Sequence, residues 1–203
     1  MRLFYSPPSP FVRTVMVALH ETKLLDQVEI VSVIGTAVDP GTYPVSHNPI
    51  GKIPTLERAD GPALYDSRVI LRYLNELSGG QLYPAIPALW DTLTLEATGH
   101  GIMEAAVLIV YEARCREPSE RSEAWVEAQW AKVTRALDAL EARWIANLSA
   151  PPNAGHIAVG CALGYLDFRH TKREWRSARP ALAAWYDHYS DRQSMQDTAP
   201  LAT

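Results

Sequence analysis

The sequence predicts a small α/β domain followed by an all-helical domain, and the distribution of three residue types supports this division. Ten of the 15 prolines lie in residues 1–87, whereas 22 of the 27 alanines and all six tryptophans follow residue 87. Alanine is the best helix former and proline the poorest. The 203 residues are enough for two small domains. We therefore expect a first domain at residues 1–77, a linker at 78–87 and a helical domain at 88–203.

The first half of the N-terminal domain has the pattern of a βαβ unit. Arg2 to Tyr5 and Val28 to Val33 are short runs rich in residues that favour strands. Between them, the apolar residues of Pro10 to Thr22 recur at helical spacing. A strand, a helix and a second strand are therefore expected in this order.

The second half of that domain has the pattern of a ββα unit. Pro54 to Arg58 and Ala63 to Tyr65 predict two strands around a turn at Asp60-Gly61. Ser67 to Leu77 follows as a helix with one apolar face. A βαβ unit followed by a ββα unit is the element order of a thioredoxin-like domain.

Four helices are predicted after the linker, because alanine-rich stretches with apolar stripes are separated there by prolines. Their expected bounds are Ala88 to Cys115, Ser119 to Ala146, Gly155 to about His170, and Pro180 to about Asp191. The third helix carries Gly160 and Gly164 at four-residue spacing, which predicts that another helix approaches its backbone closely. Together the four form a helical bundle.

Composition and charge exclude several classes of protein. Hydrophobic residues make up 47% of the chain and charged residues 21%, as in globular rather than disordered or fibrous proteins. The formal net charge of −4 lacks the basic excess that nucleic-acid binding needs. Cys115 and Cys161 form no C-x-x-C pair, so neither a disulfide framework nor a cysteine zinc site is expected. A reducing cytoplasm fits this cysteine usage best.

The chain shows no segment that we expect to enter a membrane. Its first residues reach Pro7 and Pro8 before any apolar stretch long enough for a secretory signal. Residues 144–166 lack Asp, Glu, Lys and Arg, but Pro151-Pro152 divides them. The remaining apolar piece is about half of the ~20 residues that span a bilayer.

Three motifs of the N-terminal domain bear on function. They are SPPSPFVR from Ser6 to Arg13, NPIGKIPTL from Asn48 to Leu56, and LYDSRVILRYL from Leu64 to Leu74. In order and spacing they resemble those of bacterial, serine-using glutathione S-transferases, and the likeness covers nearly the whole chain. GYLDFR, from Gly164 to Arg169, resembles the same family. The family often begins that helix with Ser/Thr-x-x-Asp; here we assign those positions to His156 and Val159, so no capping box is expected.

The first motif contains a helix start that can serve two purposes. Ser9 precedes Pro10, and serine before a proline at the first helical position is a favourable N-cap. A hydroxyl at a helix N-terminus, where the helix dipole favours negative charge, can also donate to a ligand thiolate. The resemblance implies that Ser9 contacts the glutathione sulfur, with Ser6 and Tyr5 as alternatives. Relatives that perform thiol-disulfide exchange have cysteine at this position, so such activity is not expected.

The second motif is expected to hold the middle of glutathione. The resemblance implies that the Ile53-Pro54 bond is cis and that the backbone of Ile53 pairs with the cysteinyl part of glutathione as an added strand would. It also implies that Lys52 contacts the glycyl carboxylate. The alternative for Lys52 is a solvated surface side chain.

The third motif is expected to hold the γ-glutamyl end. Asp66-Ser67 reads as an N-cap for the helix that follows. The resemblance implies in addition that the Ser67 hydroxyl and N–H bind the γ-glutamyl carboxylate, while Asp66 receives the ammonium group. Both roles are compatible because a helix start is itself an anion site.

The helical domain offers weaker candidates. Met103, Val107 and Tyr111 recur every four residues and are expected either to line an electrophile pocket facing Ser9 or to belong to the core. His100 and Glu104 lie four residues apart but lack the second histidine of an H-E-x-x-H site, so no metal is expected.

The resemblance implies an enzyme in which the glutathione thiolate, stabilised by Ser9, is conjugated to a small apolar electrophile or isomerises it, in a detoxifying, cytoplasmic homodimer. Glutathione is then a co-substrate, and neither nucleic acid nor a membrane is a partner. The alternative is a non-catalytic interaction or regulatory protein on the same fold. Glutathione affinity measured together with conjugation assays distinguishes the two.

Overall fold

The N-terminal domain is a four-stranded mixed sheet with two helices. The computed structural model describes residues 1–200. The strands are β1 (Arg2–Tyr5), β2 (Glu29–Ser32), β3 (Thr55–Arg58) and β4 (Gly61–Leu64), and the helices are α1 (Pro10–Glu21) and α2 (Ser67–Leu77). The strand order is β2-β1-β3-β4, with β1 and β2 parallel and the other neighbours antiparallel. This confirms the predicted thioredoxin-like order of elements.

The sheet and its two helices share one core. Leu3 of β1 lies opposite Leu56 of β3, and both side chains are fully buried. Leu19 of α1 and Ile70 and Leu74 of α2 are also fully buried in the same apolar cluster. Strand alternation and helical spacing therefore direct these apolar side chains to one place, which holds the N-termini of α1 and α2 in fixed positions.

The C-terminal domain is helical, as predicted. Its helices are α3 (Ala88–Cys115), α4 (Glu123–Ala139), α5 (Ile145–Leu148), α6 (Ala154–Arg169), α7 (Pro180–Ser190) and α8 (Gln193–Asp197). Helix α6 lies at the centre, and every residue from Ala154 to Leu166 is buried. It packs mainly against α3, and α1 of the first domain also contacts it. The core therefore continues from one domain into the other.

The prediction of one continuous helix from Ser119 to Ala146 is wrong, because this segment is interrupted near both ends. Residues Pro118–Glu120 form a 3-10 turn, and α4 begins only after Ser122, whose hydroxyl accepts from Trp125 N–H at 3.3 Å. The Ser122 N–H donates to Glu112 Oε1 at 2.8 Å, a contact with α3 that helps fix this start. At the other end a π-helical turn, Leu140–Trp144, separates α4 from α5.

The start of α6 also differs from the prediction. The cap is Asn153, whose side-chain oxygen accepts from the N–H groups of Gly155 at 2.9 Å and His156 at 3.4 Å. His156 Nδ1 lies 2.9 Å from the same oxygen. The capping positions are therefore 153 and 156, not 156 and 159, and asparagine is as favourable a cap as serine.

The close approach of two helices is made by a different glycine from those predicted. A Cβ on Gly99 of α3 would lie 2.5 Å from the Ala158 carbonyl carbon, so α3 and α6 touch backbone to backbone there. Gly164 instead accommodates side chains, because a Cβ there would collide with the Arg13 guanidinium and the Tyr186 hydroxyl. At Gly160 the neighbour is the ring of Tyr189.

Helix α3 is long and apolar enough to cross a bilayer by length and composition alone. Its most apolar window has a mean hydropathy of 1.3, and 44% of that window is buried inside the protein. Its contacts are chiefly with α6 and α4. Packing in the bundle accounts for the apolar side that faces these helices.

Candidate functional site

The first motif folds into a capped helix start at the end of β1. The Ser9 hydroxyl oxygen accepts from Val12 N–H at 3.3 Å, and the Ser9 carbonyl accepts the first helical bond, from Arg13 N–H, at 3.0 Å. A hydroxyl has one donor and two acceptor positions. Because capping uses only an acceptor position, the Ser9 proton remains available to a ligand.

The two alternatives to Ser9 lie just before it. Ser6 is half-buried, and its carbonyl accepts from Ser9 N–H at 3.1 Å. Tyr5 ends β1, and burial raises the pKa of its phenol above the ordinary value. Neither residue is the N-cap of α1, which is Ser9.

Asn48 organises the loop that carries the second motif. Its side-chain nitrogen donates to the Lys52 carbonyl at 2.8 Å and to the Thr55 hydroxyl at 3.1 Å, and its oxygen accepts from Ile50 N–H at 3.1 Å. Asn48 is almost fully buried, so these bonds fix the turn from inside. The sequence analysis included Asn48 in the second motif but predicted no role for it.

The loop presents Ile53 and Lys52 to the surface. The Ile53-Pro54 peptide bond is cis, as the resemblance implied. Within residues 1–200, neither the N–H nor the C=O of Ile53 has a backbone hydrogen-bond partner. Ile53 is half-buried and Lys52 is exposed. The backbone of Ile53 can therefore receive an extended ligand.

The third motif begins α2 with Asp66 as its cap. The Asp66 carboxylate accepts from Arg68 N–H at 3.0 Å and forms an ion pair with the Arg68 guanidinium at 2.8 Å. Partial burial acts to raise the pKa of Asp66, but the hydrogen bonds and charge of Arg68 outweigh it and hold the pKa below its usual range. Ser67 is the first residue of the helix, where a backbone N–H has no intrahelical acceptor.

Helix α3 brings His100 against the third motif. His100 Nε2 lies 3.4 Å from the Ser67 hydroxyl oxygen, and both residues are buried. On its other side the His100 ring packs against Phe11 of the first motif, with ring centroids 5.5 Å apart. Burial lowers the pKa of His100 to about 4, with a further contribution from the charge of Arg68. The imidazole is therefore neutral at pH 7.

His100 is a residue that sequence reasoning considered only as a metal ligand. It connects the starts of α1 and α2, which are far apart in the sequence. No local pattern signals this contact, because it depends on how α3 crosses the first domain. Among residues 1–200, no group of three or more His, Cys, Asp and Glu side chains could hold a metal ion.

The three residues predicted for the electrophile pocket do not share one environment. Met103 is fully buried, and its sulfur lies 3.9 Å from the Thr14 hydroxyl of α1. It belongs to the core, which was the expected alternative to an electrophile pocket. Val107 and Tyr111 are half-buried on the following two turns. Burial raises the pKa of Tyr111, which also acts electrostatically on Tyr43 in the segment between β2 and β3.

A cleft of about 510 Å³ lies between α2 and α3, beside the third motif. Asp66 and Arg68 line it from α2 and its cap, and Leu93 and Glu96 line it from α3. Apolar side chains on the same two helices remain exposed, with Trp90 at 64% and Val69 at 45%.

Comparison with known proteins places this geometry in a family. The glutathione S-transferase N-terminal domain matches residues 8–77, and the glutathione S-transferase C-terminal domain matches residues 123–188. Together these matches span more than half of the chain. The first match includes all three motifs except Ser6 and Pro7, the first two residues of the first motif.

Individual relatives agree over their full length. A glutathione transferase family member from Pseudomonas fluorescens Pf-5, solved with bound glutathione, is 46% identical over 99% of both chains with a TM-score of 0.96. Another structure of such a protein from Pf-5 contains S-(propanoic acid)-glutathione, with 46% identity over 100% of both chains and a TM-score of 0.91. YibF of Escherichia coli (strain K12), an uncharacterized GST-like protein, is 31% identical over 98% of both chains. The chain belongs to the glutathione S-transferase superfamily.

Proposed function

We propose that the protein is a glutathione transferase in which Ser9 stabilises the glutathione thiolate. The observation that carries this proposal is the Ser9 cap. The hydroxyl oxygen accepts from Val12 N–H, and its proton is free to donate to a sulfur anion at the positive end of α1.

The Ser9 hydroxyl and the start of α1 can together supply the free energy needed to lower the pKa of the glutathione thiol. A free thiol has a pKa of about 8.5, and lowering it by two units takes about 2.7 kcal/mol of differential stabilisation. A hydrogen bond to a charged group contributes about 1.5–3 kcal/mol. A helix dipole adds about 0.3–1 kcal/mol.

The remaining contacts follow the length of glutathione. The Ile53 N–H and C=O, which lack backbone partners within residues 1–200, pair with the cysteinyl residue, while the cis Pro54 shapes the turn. Lys52 lies at the glycyl carboxylate. The Ser67 hydroxyl and N–H hold the γ-glutamyl carboxylate at the start of α2, and Asp66 receives the ammonium group.

The reaction is nucleophilic attack by the thiolate on an electrophile in the helical domain. A carbon–sulfur bond forms, and either a leaving group departs with its electron pair or the adduct takes a proton from solvent. The apolar body of the electrophile lies against Val107 and Tyr111. The S-(propanoic acid)-glutathione in a relative supports a site that accommodates a thioether, the product of such a step.

The proposal includes a homodimer that acts as a detoxifying enzyme in the cytoplasm. The exposed Trp90 and Val69 beside the cleft between α2 and α3 support a second copy of the chain at this face. Sedimentation at micromolar concentration should give twice the mass of the chain. A species with the mass of one chain would contradict the dimer.

Three measurements test the enzyme. Titration calorimetry measures glutathione affinity, the ultraviolet absorbance of the bound thiolate against pH gives its pKa, and chlorodinitrobenzene measures turnover. We expect binding, a bound-thiol pKa below about 8.5 and catalysed chloride release. Binding without turnover over a panel of electrophiles would favour an interaction protein instead.

A further inference from the structure

Two arginines and two tyrosines lie on the last turns of α3 and α6, two helices that pack against each other. His170, the residue after α6, places its Nε2 3.0 Å from the Ala106 carbonyl of α3. Tyr111 and Arg114 lie on α3, and Tyr165 and Arg169 lie on α6. The charge of Arg114 acts on the pKa values of the other three residues, and Tyr111 also acts on Tyr165. We call these four residues the tyrosine–arginine cluster.

The cluster continues the surface proposed for the electrophile. Tyr111 belongs to both, and Val107 lies one helical turn before it on α3. Tyr43, from the segment between β2 and β3, lies within electrostatic range of Tyr111. In the proposed reaction, the cluster therefore extends the electrophile surface of Val107 and Tyr111 along α3 and α6.

The positive charge of the cluster has no acidic partner in the described part of the chain. Within residues 1–200, neither Arg114 nor Arg169 has a carboxylate oxygen within 4.0 Å. The neighbouring acids are engaged elsewhere: Asp167 pairs with Arg176 at 2.6 Å, and Glu112 pairs with Arg116 at 3.0 Å. Within residues 1–200, neither arginine is therefore paired with a carboxylate, and Arg114 is exposed.

Arg169 also holds a polar atom that its surroundings leave unsatisfied. Its Nη2 is buried and has no hydrogen-bond partner within residues 1–200. The guanidinium carbon lies 4.0 Å from the centroid of the Phe168 ring, which supports one face of the group. Burial, and then the charge of Arg114, hold the pKa of Arg169 below its ordinary value. A bound anion would accept a hydrogen bond from Nη2 and would also stabilise the positive charge of Arg169.

The tyrosines supply neutral donors beside the two cations. Burial raises the pKa of Tyr165 to about 12, although the Arg169 charge acts in the opposite direction. Burial likewise raises the pKa of Tyr111. Both phenols therefore keep their protons at neutral pH and can donate to an oxyanion.

From this arrangement we infer that the electrophile carries a carboxylate, which Arg169 binds with help from Arg114 and the two phenols. A planar guanidinium matches a carboxylate with two parallel hydrogen bonds. The inference rests on the proposed transferase function and narrows its apolar electrophile to an amphipathic one, with the apolar body on Val107 and the carboxylate on the cluster.

Both arginines also occupy the last turns of helices, where a cation is favoured by the helix dipole. That role predicts a change in stability on removing either charge. It does not predict discrimination between a charged and an uncharged ligand, so ligand pairs separate the two roles.

The experiment compares two conjugates that differ only in charge. Glutathione and a chlorodinitrobenzoate give the acid conjugate: the carbon–sulfur bond forms, chloride leaves with its electron pair and the thiol proton goes to solvent. The methyl ester gives the uncharged conjugate. Titration calorimetry should show that the acid binds at least about tenfold more tightly than the ester, as expected for charge-assisted hydrogen bonds.

Substitutions assign this preference to the cluster. Arg169→Met should weaken binding of the acid by at least about tenfold and change binding of the ester by less than about twofold. Arg169→Lys should keep part of the preference, because it retains the charge but not the planar fork. Arg173→Met removes a nearby arginine that pairs with Glu127, and it should leave the preference unchanged.

Equal binding of acid and ester by the unmodified protein would overturn the inference. So would a folded Arg169→Met protein that loses both ligands to the same extent. If Arg169→Met does not fold, Arg114→Met and Arg169→Lys decide: an unchanged preference in both would also overturn it.

Turnover of the two chloro compounds, each corrected for its uncatalysed rate, tests the transferase separately. Preference for the acid conjugate without turnover would contradict the transferase proposal but support the carboxylate site. Turnover without that preference would support the transferase proposal but contradict the carboxylate site.

Discussion

Ser9 and Ser67 both stand at helix starts of the N-terminal domain, but their hydroxyl groups have different neighbours. Ser9 is the cap of α1, and its oxygen accepts from Val12 N–H. Ser67 is the first residue of α2, whose cap is Asp66, and its hydroxyl faces His100 of the other domain. Ser9 is half-buried, whereas Ser67 is 1% exposed.

The difference shows that the position of a serine hydroxyl can depend either on its own helix or on another domain. The neighbours of Ser9 come from its own helix, so its position depends on local backbone geometry. The position of Ser67 depends on the packing of α3 against α2. In the proposed enzyme, Ser9 acts on the charge of the sulfur and Ser67 on the binding of the distant γ-glutamyl end.

The largest effect is expected from the residue that distinguishes the two serines. Burial lowers the pKa of His100 from 6.5 to about 4. Between these pH values, His100 is therefore protonated in the unfolded chain and neutral in the folded chain. The free energy of unfolding should therefore fall between pH 7 and pH 4, by roughly 2–3 kcal/mol from this group. In the His100→Gln protein, urea unfolding should show a smaller fall.

Some of the pH dependence should remain in that variant. Burial also lowers the pKa values of His156 and His170, and both contribute in the same direction. An unchanged slope in the His100→Gln protein would mean that His100 is charged in the folded state and does not pack as described.

Ser9→Ala should separate capping from catalysis. Loss of the cap costs about 1 kcal/mol of unfolding free energy. Loss of the donor should also raise the pKa of the bound thiol and reduce turnover near neutral pH by about tenfold or more. Stopped-flow turnover and ultraviolet titration of the thiol measure these effects, with Ser6→Ala as the control. An unchanged rate in a less stable Ser9→Ala protein would transfer the role to Ser6, Tyr5 or backbone N–H groups.

Ser9→Cys sharpens the same contrast with a gain of activity. A cysteine sulfur can form the mixed disulfide that a hydroxyl cannot. The variant should lose conjugating activity and gain exchange with a glutathione-containing disulfide, which a coupled reductase assay detects. Conjugation at the original rate would show that the thiolate does not depend on the hydroxyl.

Ser67→Ala should affect binding and leave the chemistry alone. Removing one hydrogen bond to the γ-glutamyl carboxylate should raise the KM for glutathione about fivefold, with little change in kcat or in the thiol pKa. Ser78→Ala, at the far end of α2, is the matched control, because the Ser78 hydroxyl donates to the Asn75 carbonyl of the same helix, away from the third motif. Equal KM values in the two variants would reduce Ser67 to a packing residue.

The smallest effect is expected from Asp66→Asn. Asparagine caps a helix about as well as aspartate, so α2 should keep its stability, whereas Asp66→Ala should lose about 1 kcal/mol. If Asp66 receives the ammonium group of glutathione, both variants should show a raised KM. Loss of affinity only in Asp66→Ala would mean that the carboxylate acts through the helix cap.

Much of the architecture was predictable because it depends on near neighbours in the chain. Ser9-Pro10 and Asp66-Ser67 carry the cap and first-turn residues of α1 and α2, and both helices begin there. The shift from proline-rich to alanine-rich sequence coincides with the start of α3 at Ala88. Strand alternation and helical spacing identified β1, β3 and α2 because backbone geometry alone sets those periods.

The details that failed were those decided by contacts across the fold. Met103 shares its spacing with Val107 and Tyr111, but it lies against Thr14 of α1 and is fully buried, whereas the other two are half-buried. Gly164 reads like a helix-contact glycine, but it accommodates the side chains of Arg13 and Tyr186.

By itself, then, the sequence determined the two domains, most helix starts and the three motifs, because local hydrogen bonding and side-chain period act over a few residues. Only the tertiary structure decided that His100, 33 positions from Ser67, faces its hydroxyl. It also decided that Arg169 Nη2 is buried without a hydrogen-bond partner within residues 1–200. Such contacts follow from which helix faces meet, and burial and long-range packing settle that after the local elements have formed.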